Sequence, residues 1–222
     1  MRRCEVWDLG RMQYSAAFDL QRELVERRKR GEIPDQLLFV EHPHVITMGR
    51  NGNIANVLAP PDVLERAGIT FHATDRGGDV TYHGPGQVVG YPIFDLREWK
   101  RDVVAYVRAI EQVIIQALAQ FGLCGEREAG ATGVWVGGKK IAAIGVHISR
   151  WVTSHGFALN VDADLRYFQY IVPCGLPKPV TSMRQEGCVA RREDVIGEIQ
   201  RQFARVFDLE MLEKAEACKE SL

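Results

Sequence analysis

The sequence predicts an α+β protein in which a mixed β-sheet is flanked by helices. Candidate strands outnumber candidate helices, and several follow one another without the regular strand–helix–strand alternation of a doubly wound parallel sheet. Two segments, 102–121 and 193–207, carry apolar residues at helical spacing along one face. These observations favour a mixed or antiparallel sheet covered by amphipathic helices.

The chain is expected to form a single domain over residues 1–222, with a charged helical tail from about residue 209. Its 222 residues are enough for one sizeable core, and 46% of them are hydrophobic. A two-domain division remains an alternative, but no Ser/Gly-rich or charged linker marks a boundary.

Charge and cysteine content exclude several classes of protein. The net charge of −1 provides no global basic field, so neither a nucleic acid nor a membrane partner is expected. No stretch approaches the roughly 18 apolar residues of a membrane span, and the first residues lack the apolar run of a secretion signal. Five scattered cysteines are typical of a reducing compartment, which predicts a cytoplasmic protein.

In the first half of the chain, helices are predicted at 14–30 and 60–68, and strands at 37–42, 45–49, 69–75 and 88–96. The last two strands flank a glycine-rich segment, which is interpreted as a loop. In the second half, Asp102 is a candidate N-cap and Gly122 a stop for the long helix. Residues 133–148 predict a β-hairpin that turns at Gly137-Gly138, and 156–161 continue the sheet.

The glycine-rich segment "RGGDVTYHGPGQ" (76–87) is the first candidate site. Glycine lets main-chain groups approach a ligand closely. Arg76 can pair with an anion or a carbonyl, and His83 can serve as an acid, a base or a hydrogen-bond donor. The alternative, a tight loop around a buried and satisfied histidine, is equally compatible with the spacing.

No signature of a metal or nucleotide cofactor is found. His42 and His44 are two residues apart, but no further ligands accompany them, and the P-loop, GxGxxG, GxSxG and HExxH patterns are absent. We therefore expect no metal site and no cofactor.

Lys139 and Lys140 are the second candidate site. Neighbours on a strand point to opposite faces, so one lysine is expected with Ile141 and Ala143 and the other with Ala142. Burial disfavours an ammonium ion, which makes a buried lysine usable as a base. Either lysine can instead extend to water at the turn.

Cys174, in "IVPCGLPKP", is the third candidate. A cysteine in an intracellular chain is commonly packing material. Here, however, Gly175 leaves the sulfur approachable and nearby prolines stiffen the segment. A neighbouring lysine or histidine would stabilise its thiolate. Composition and spacing alone thus indicate a possible cysteine-dependent acyl-transfer site.

Together these segments resemble the octanoyl-acyl carrier protein:protein N-octanoyltransferases, also called lipoyl(octanoyl) transferases. The resemblance rests on four motifs, in order: "EHPHVITMGR", "RGGDVTYHGPGQVVGYPI", "GKKIAAIGVHISRWVTSHGFALNV" and "IVPCG". It covers most of residues 35–185. It implies the catalytic-domain fold of biotin and lipoate protein ligases, with a mixed sheet, a smaller subsheet and flanking helices.

The resemblance also implies roles for individual residues. Cys174 would be the nucleophile that carries the octanoyl group as a thioester, and Lys140, the lysine before "IAAIG", the base. The acyl pocket would be lined by Arg76, Gly77, Gly78, Asp79, Val80, Thr81, Tyr82, His83, Ala143, Ile144, Gly145, Gly156, Phe157 and Ala158. Small residues among them would leave room for an acyl chain.

The implied donor is octanoyl-acyl carrier protein. The implied acceptors are apo-lipoyl domains of 2-oxo acid dehydrogenase complexes and the glycine cleavage H protein. Since such partners tend to be acidic, Arg150 or the 27–30 cluster is a hypothetical basic docking face, although a solvated helix face is the alternative. The main rivals are an ATP-dependent lipoate or biotin ligase and a non-catalytic acyl-binding module.

Overall fold

The structure, a computed structural model, describes residues 1–172 and 178–213. That part of the chain contains the α-helices α1 (Tyr14–Lys29), α2 (Pro61–Arg66), α3 (Val103–Gln120) and α4 (Arg192–Phe207). The strands are β1 (Arg2–Arg11), β2 (Asp35–Glu41), β3 (Val45–Met48), β4 (Thr70–Ala73), β5 (Val80–His83), β6 (Gln87–Ile93), β7 (Val134–Val136), β8 (Lys139–Ser149), β9 (Val152–Asn160) and β10 (Leu209–Glu213). None of the described helices is long and apolar enough to cross a membrane.

Seven strands form a mixed sheet in the order β10-β1-β2-β6-β9-β8-β7. Strand β1 is parallel to both of its neighbours, β10 and β2. The remaining neighbours in this sheet, β2–β6, β6–β9, β9–β8 and β8–β7, are antiparallel. Helices α3 and α4 cover one face with buried residues such as Ile110 and Phe203, and α1 covers the other with Leu20 and Leu24. The predicted α+β fold with a mixed sheet is confirmed.

A smaller sheet, in the order β4-β3-β5, packs around its own apolar cluster, which includes Ile46, Val80 and Tyr82. Its presence confirms the smaller subsheet that the resemblance implies, while strand β5 corrects the interpretation of the whole glycine-rich segment as a loop. Val80–His83 form β5 and pair with β3, from Val45↔His83 to Met48↔Val80. Glycines on both sides leave only four residues for this strand, which is too few for its periodicity to stand out.

Local turn and cap predictions are confirmed in the second half of the chain. The Asp102 side chain accepts a hydrogen bond from the Ala105 N–H at 2.9 Å and caps α3, which ends before Gly122 (φ 75°). Gly137 and Gly138 join β7 to β8 with φ values of 53° and 74°. Positive φ at both central positions is what a two-residue hairpin turn requires.

The two outer strands, β1 and β10, depart from the predictions. No strand is predicted at residues 2–11, where only Cys4 and Val6 are buried among exposed and half-buried neighbours. The predicted helical tail is wrong at its start, because Leu209–Glu213 form β10, parallel to β1. Pairing with β1 satisfies the backbone groups of this segment, a long-range effect that its charged composition does not reveal. Residues 214–222 lie outside the described part of the chain.

Candidate active site

A partly open cavity is bordered by β8 and β9 of the large sheet, β5 of the small sheet and the start of α1. It encloses about 460 Å³, counting the open space at its mouth. Most of the predicted pocket residues line it: Arg76, Gly78, Asp79, Thr81, His83, Ala143, Ile144, Gly145, Gly156, Phe157 and Ala158. Lining atoms are mainly apolar, so the cavity suits a hydrocarbon chain.

A second cavity adjoins the first and contains Lys140. The two share Thr81, Ala143 and Ala158 in their walls. Tyr82, which the prediction placed in the acyl pocket, lines this second cavity. The lysine is therefore next to an apolar cavity and separated from it only by small side chains.

Gly77 and Val80 do not line either cavity in the described part of the chain. Val80 is buried in the cluster of the small sheet. The Gly77 N–H donates to the Val146 carbonyl at 2.9 Å and so attaches the glycine-rich segment to β8. A Cβ atom at Gly145 would lie 2.9 Å from the Gly77 carbonyl oxygen, so this glycine permits the close approach of two backbones.

A β-bulge determines which way Lys140 faces. Trp135 pairs with Lys140, but Val134 pairs with Ala142, so Ile141 is the extra residue. Ile141 and Ala142 consequently both lie in the helix-covered core, and Lys140 turns to the opposite face. This corrects the prediction from regular strand alternation, which places the side chain of Lys140 on the same face as that of Ala142. The Lys139 ammonium instead forms an ion pair with a carboxylate from another part of the chain.

Cys174 lies outside the described residues, as do its neighbours 173–177. The described residues before and after positions 173–177 form backbone hydrogen bonds with other parts of the chain. On the N-terminal side, the Val172 N–H donates to the Asn56 carbonyl at 2.8 Å. On the C-terminal side, the Pro179 carbonyl accepts from the Lys140 N–H and the Thr181 N–H donates to the Lys140 carbonyl, each at 2.9 Å. Pro179 and Thr181, five and seven positions after Cys174 in the sequence, thus pair directly with the backbone of Lys140.

Gln87 fixes the protonation pattern of His83. Its side-chain NH₂ donates to the Tyr82 carbonyl at 3.3 Å and to Asn160 Oδ1 at 2.9 Å. Because both amide protons are used, only Oε1 remains for His83 Nδ1, 3.2 Å away. His83 therefore carries its proton on Nδ1. Burial also holds the pKa of His83 well below its usual value, so the ring is neutral and Nε2 is an acceptor.

Arg76 and Asp79 anchor the glycine-rich segment as well as lining the cavity. Arg76 Nη2 donates to the Thr47 carbonyl at 2.7 Å, and its Nη1 donates to the Gly77 carbonyl at 3.0 Å. Asp79 Oδ1 accepts from the Asn53 N–H at 2.9 Å. These bonds fasten the segment to β3 and to the loop that follows β3.

Several residues around the cavity are not among the predicted site residues: Tyr14, Val89, Tyr91 and His155. Tyr14 is the first residue of α1 and is buried, which raises the pKa of its hydroxyl to about 12. The Tyr91 hydroxyl lies 2.7 Å from His42 Nε2. Tyr14 lies outside the recognised motifs, whereas Val89, Tyr91 and His155 lie inside them, and only the packing of the strands shows that these side chains reach the cavity.

His155 closes one side of the cavity in an unusual conformation. Its φ of 55° is left-handed, which is uncommon for a residue with a side chain. Two hydrogen bonds hold it there: Nε2 lies 2.6 Å from Asp75 Oδ1, and the backbone N–H donates to Gln21 Oε1 at 2.8 Å. The first of these bonds lowers the pKa of Asp75 to about 2. In the sequence, His155 lies inside the third motif directly before Gly156, but the motif does not indicate that its side chain borders the cavity.

Among the described residues, no group of three or more His, Cys, Asp or Glu side chains is arranged to hold a metal ion. The two histidines of the first motif have other partners. His42 Nδ1 lies 2.8 Å from the Met12 carbonyl oxygen, and His44 Nδ1 lies 2.7 Å from the Tyr82 hydroxyl.

Comparison with known families identifies the class of protein to which this fold and site belong. The family model of the lipoyl protein ligase A/B catalytic domain matches residues 13–204. The chain therefore belongs to the lipoyl protein ligase A/B catalytic-domain family.

Relatives within that class are octanoyltransferases. The octanoyltransferase of Solibacter usitatus is 63% identical over 212 residues, which cover 96% of both chains. That of Koribacter versatilis is 52% identical and aligns with 94% of this chain and 86% of its own length. Identity at this level over nearly the full length places the protein with the octanoyltransferases of the family.

Solved structures support the fold independently. A bipartite lipoate protein ligase from Thermoplasma acidophilum superposes with a TM-score of 0.76 over 97% of this chain and 88% of its own, at 16% identity. The biotin protein ligase of Aquifex aeolicus gives a TM-score of 0.54 over 94% of this chain and 70% of its own, at 10% identity. The predicted biotin/lipoate ligase-like fold is confirmed.

Proposed function

We propose that this protein transfers an octanoyl group from octanoyl-acyl carrier protein to a lysine of apo-lipoyl domains through a thioester on Cys174. The position of Lys140 supports this most. Its side chain lies beside a cavity suited to a hydrocarbon, and its backbone pairs with the segment that follows Cys174. The octanoyltransferase relatives indicate the acyl group.

In the first half-reaction, Lys140 takes the proton of the Cys174 thiol, and the thiolate attacks the donor thioester. The tetrahedral oxyanion is stabilised by backbone N–H groups. Its collapse breaks the carbon–sulfur bond to the carrier, whose thiolate receives the proton from Lys140. One thioester replaces another, so the step costs little free energy.

In the second half-reaction, the ε-amine of the acceptor lysine attacks the acyl-enzyme carbonyl. An amide forms, the bond to Cys174 breaks, and the amine proton ends on the cysteine sulfur. Lys140 is one group that can accept that proton on the way. The neutral His83 is the other, acting through a water molecule, because its Nε2 is an acceptor. Conversion of a thioester to an amide is downhill, so ATP is not consumed.

The acyl chain is held by burial. Each methylene removed from water contributes roughly 0.8 kcal/mol. The cavity beside Lys140 and the larger cavity lined by Tyr14 and Tyr91 share the small residues Ala143 and Ala158 in their walls. We place the thioester end of the substrate near Lys140 and its methyl end in the larger cavity.

The proposed acceptors are lipoyl domains of 2-oxo acid dehydrogenase complexes and the glycine cleavage H protein, and the proposed compartment is the cytoplasm. The hypothesis that the 27–30 cluster or Arg150 docks them finds little support. Carboxylates pair with these cations: Arg27 with Glu23, Arg28 with Asp35, Lys29 and Arg150 with Glu26, and Arg30 with Glu32. These ion pairs cancel most of the positive charge that an acidic partner would meet.

The deciding experiment is incubation of the protein with octanoyl-acyl carrier protein, without ATP. We expect an octanoyl-sized mass increase that hydroxylamine removes and that peptide mapping assigns to Cys174. Addition of an apo-lipoyl domain should then discharge the adduct and acylate the domain. Cys174→Ala should acquire no adduct.

Other results would overturn the proposal. Acylation of the lipoyl domain by Cys174→Ala would exclude the thioester route. Acylation from free octanoate that depends on ATP would indicate a ligase. Reversible octanoate binding without any covalent adduct would indicate a binding module.

A further inference from the structure

A row of side chains crosses the large sheet on the face that α1 covers. Strands β2, β6, β9 and β8 are neighbours, and the residues directly opposite one another are Val40, Val89, Ala158 and Ala143, in that order. Residues opposite each other on neighbouring strands point to the same face of a sheet. The row therefore changes from valine to alanine between β6 and β9.

The larger cavity lies over the alanine part of this row. Ala143, Ala158 and Val89 line it, whereas Val40 is not among its described lining residues. Val40 and Val89 are buried in the apolar cluster beneath α1. An alanine leaves the space above the sheet open, but the two methyl groups of a valine fill it. On this side of the sheet the cavity consequently ends at Val89.

Tyr91 bounds the neighbouring row in the same way. Gly145 and Gly156 are opposite each other on β8 and β9, so this row is also made of small residues. Tyr91 follows Val89 by two positions on β6 and points to the same face. Its hydroxyl lies 2.7 Å from His42 Nε2, which fixes the ring. Both rows thus meet a large side chain at β6, and this strand forms the end wall of the cavity.

The length of the alanine row suits the proposed substrate. Neighbouring strands lie about 4.8 Å apart, so Ala143 and Val89, which are two strands apart, are separated by about 10 Å. This span is comparable with an extended octanoyl chain. A chain whose thioester lies near Lys140 would cross Ala143 and Ala158 and place its methyl group against Val89.

We propose that Val89 is a specificity-determining residue that sets the longest unbranched acyl chain the cavity accepts. A longer chain has to displace the buried valine, which is costly in a packed core, or leave methylenes outside the cavity. The inference rests on the proposed function, because it takes the thioester end of the chain to lie near Lys140.

Chain-length selectivity tests this role. We would measure kcat/KM with hexanoyl-, octanoyl- and decanoyl-acyl carrier protein, and the affinities of the corresponding free acids by calorimetry, which requires no transfer. Val89→Ala opens the row as far as Val40, so the decanoyl-to-octanoyl ratio of kcat/KM and of affinity should rise about tenfold. Ala158→Val closes the row one strand earlier and should instead raise the hexanoyl-to-octanoyl ratio about tenfold.

Val88→Ala is the matched control. Val88 is next to Val89 on β6 and equally buried, at 1% exposed, but it points into the core beneath α3 and α4. Loss of its methyl groups should destabilise the fold as Val89→Ala does, because both substitutions leave a small void. All chain-length ratios of Val88→Ala should remain those of the wild-type protein.

A folded Val89→Ala protein with the wild-type decanoyl-to-octanoyl ratio would overturn the inference, as would an equal rise in Val88→Ala. If Val89→Ala does not fold, an unchanged hexanoyl-to-octanoyl ratio in Ala158→Val would overturn it equally. Failure of the proposed function has a different signature, since the wild-type protein would then acquire no octanoyl group from the carrier protein. The affinities for the free acids would still decide the role of Val89.

Discussion

Lys139 and Lys140 differ in their surroundings, although they are neighbours of the same type. Lys140 lies against Trp135 and lines a cavity, whereas Lys139 forms an ion pair with Glu186. Sequence alternation separates the two lysines but cannot decide which one faces the site. The resemblance to octanoyltransferases selects Lys140, and the bulge at Ile141 is the structural reason that this lysine faces the cavity.

Lys140→Ala is expected to slow formation of the Cys174 adduct by a factor of about 100 or more, since a positioned base typically contributes about 10²–10⁴-fold. Single-turnover mass spectrometry with octanoyl-acyl carrier protein measures the rate. Lys139→Ala is the matched control and should stay near the wild-type rate. Equal rates for Lys140→Ala and the wild-type protein would remove Lys140 from the mechanism.

His42 should make the fold sensitive to acid. Burial lowers its pKa to about 4, against 6.5 for an exposed histidine. The unfolded chain therefore binds a proton more readily than the folded one between these values, and stability falls as the pH drops from about 6.5 to 4. For His42 alone, the loss of unfolding free energy over this pH range approaches about 3 kcal/mol. Burial also lowers the pKa of His83, so His83 destabilises the fold in acid as well.

Urea denaturation at several pH values from 7 to 4.5 measures how steeply the free energy of unfolding falls with pH. Glutamine at position 42 can donate to the Met12 carbonyl and accept from Tyr91 without titrating. We expect His42→Gln to flatten the pH dependence and the matched variant His72→Gln, on β4, to keep it. An unchanged slope in His42→Gln would contradict the assignment.

At the scale of elements, local chemistry predicts the α3 cap and the β7–β8 turn well. Asp102 and the Gly137-Gly138 pair act through neighbours a few residues away, so their effect can be read from the chain itself. Strand β5 and strand β10 cannot be read in this way. Both are short, and each forms by backbone pairing with a strand that is distant in sequence: β5 with β3, and β10 with β1.

Strand β10 leads to a truncation prediction. Leu209 is 2% exposed and belongs to the main core, and β10 covers β1 from Arg2 to Val6. A chain that ends at Asp208 should lose at least about 2 kcal/mol of unfolding free energy through exposure of this core surface. The uncovered edge of β1 should also promote aggregation.

The matched control for this test is a chain that ends at Glu213 and retains the whole of β10. It should be more stable in urea denaturation than the chain that ends at Asp208, by at least about 2 kcal/mol, and should scatter less light. A chain ending at Asp208 with full stability would show that β10 is dispensable.

At the scale of the whole molecule, a buried ionic cluster joins elements that are far apart in sequence. Asp35 accepts from Arg28 Nε at 2.9 Å, from Arg2 Nη1 at 2.8 Å and from the Asp95 N–H at 2.9 Å. It thereby links α1, β1 and β2 to the segment after β6. Composition alone suggests a solvated basic patch here, because it cannot show that Arg28 is buried.

Asp35→Asn should destabilise the protein by about 2 kcal/mol, since it removes the charged acceptor shared by Arg28 and Arg2 and leaves the buried Arg28 with only Glu98, at 2.8 Å, and Asp95, at 3.9 Å, as ionic partners. Urea denaturation at pH 7 provides the measurement. Asp62→Asn, which breaks an exposed pair with Arg66, should change stability by less than about 1 kcal/mol. Similar effects of the two substitutions would show that burial of the cluster matters little.

The amino-acid pattern alone predicts the fold class, the glycine turns and the candidates Cys174 and Lys140, because these depend on periodicity, backbone conformation and compact motifs. That Lys140 turns towards the cavity, and that Tyr14, Tyr91 and His155 line its walls, follows only from the folded chain. Contacts between distant segments set a strand's register and the walls of a cavity. A short sequence motif does not show which distant segments will be in contact.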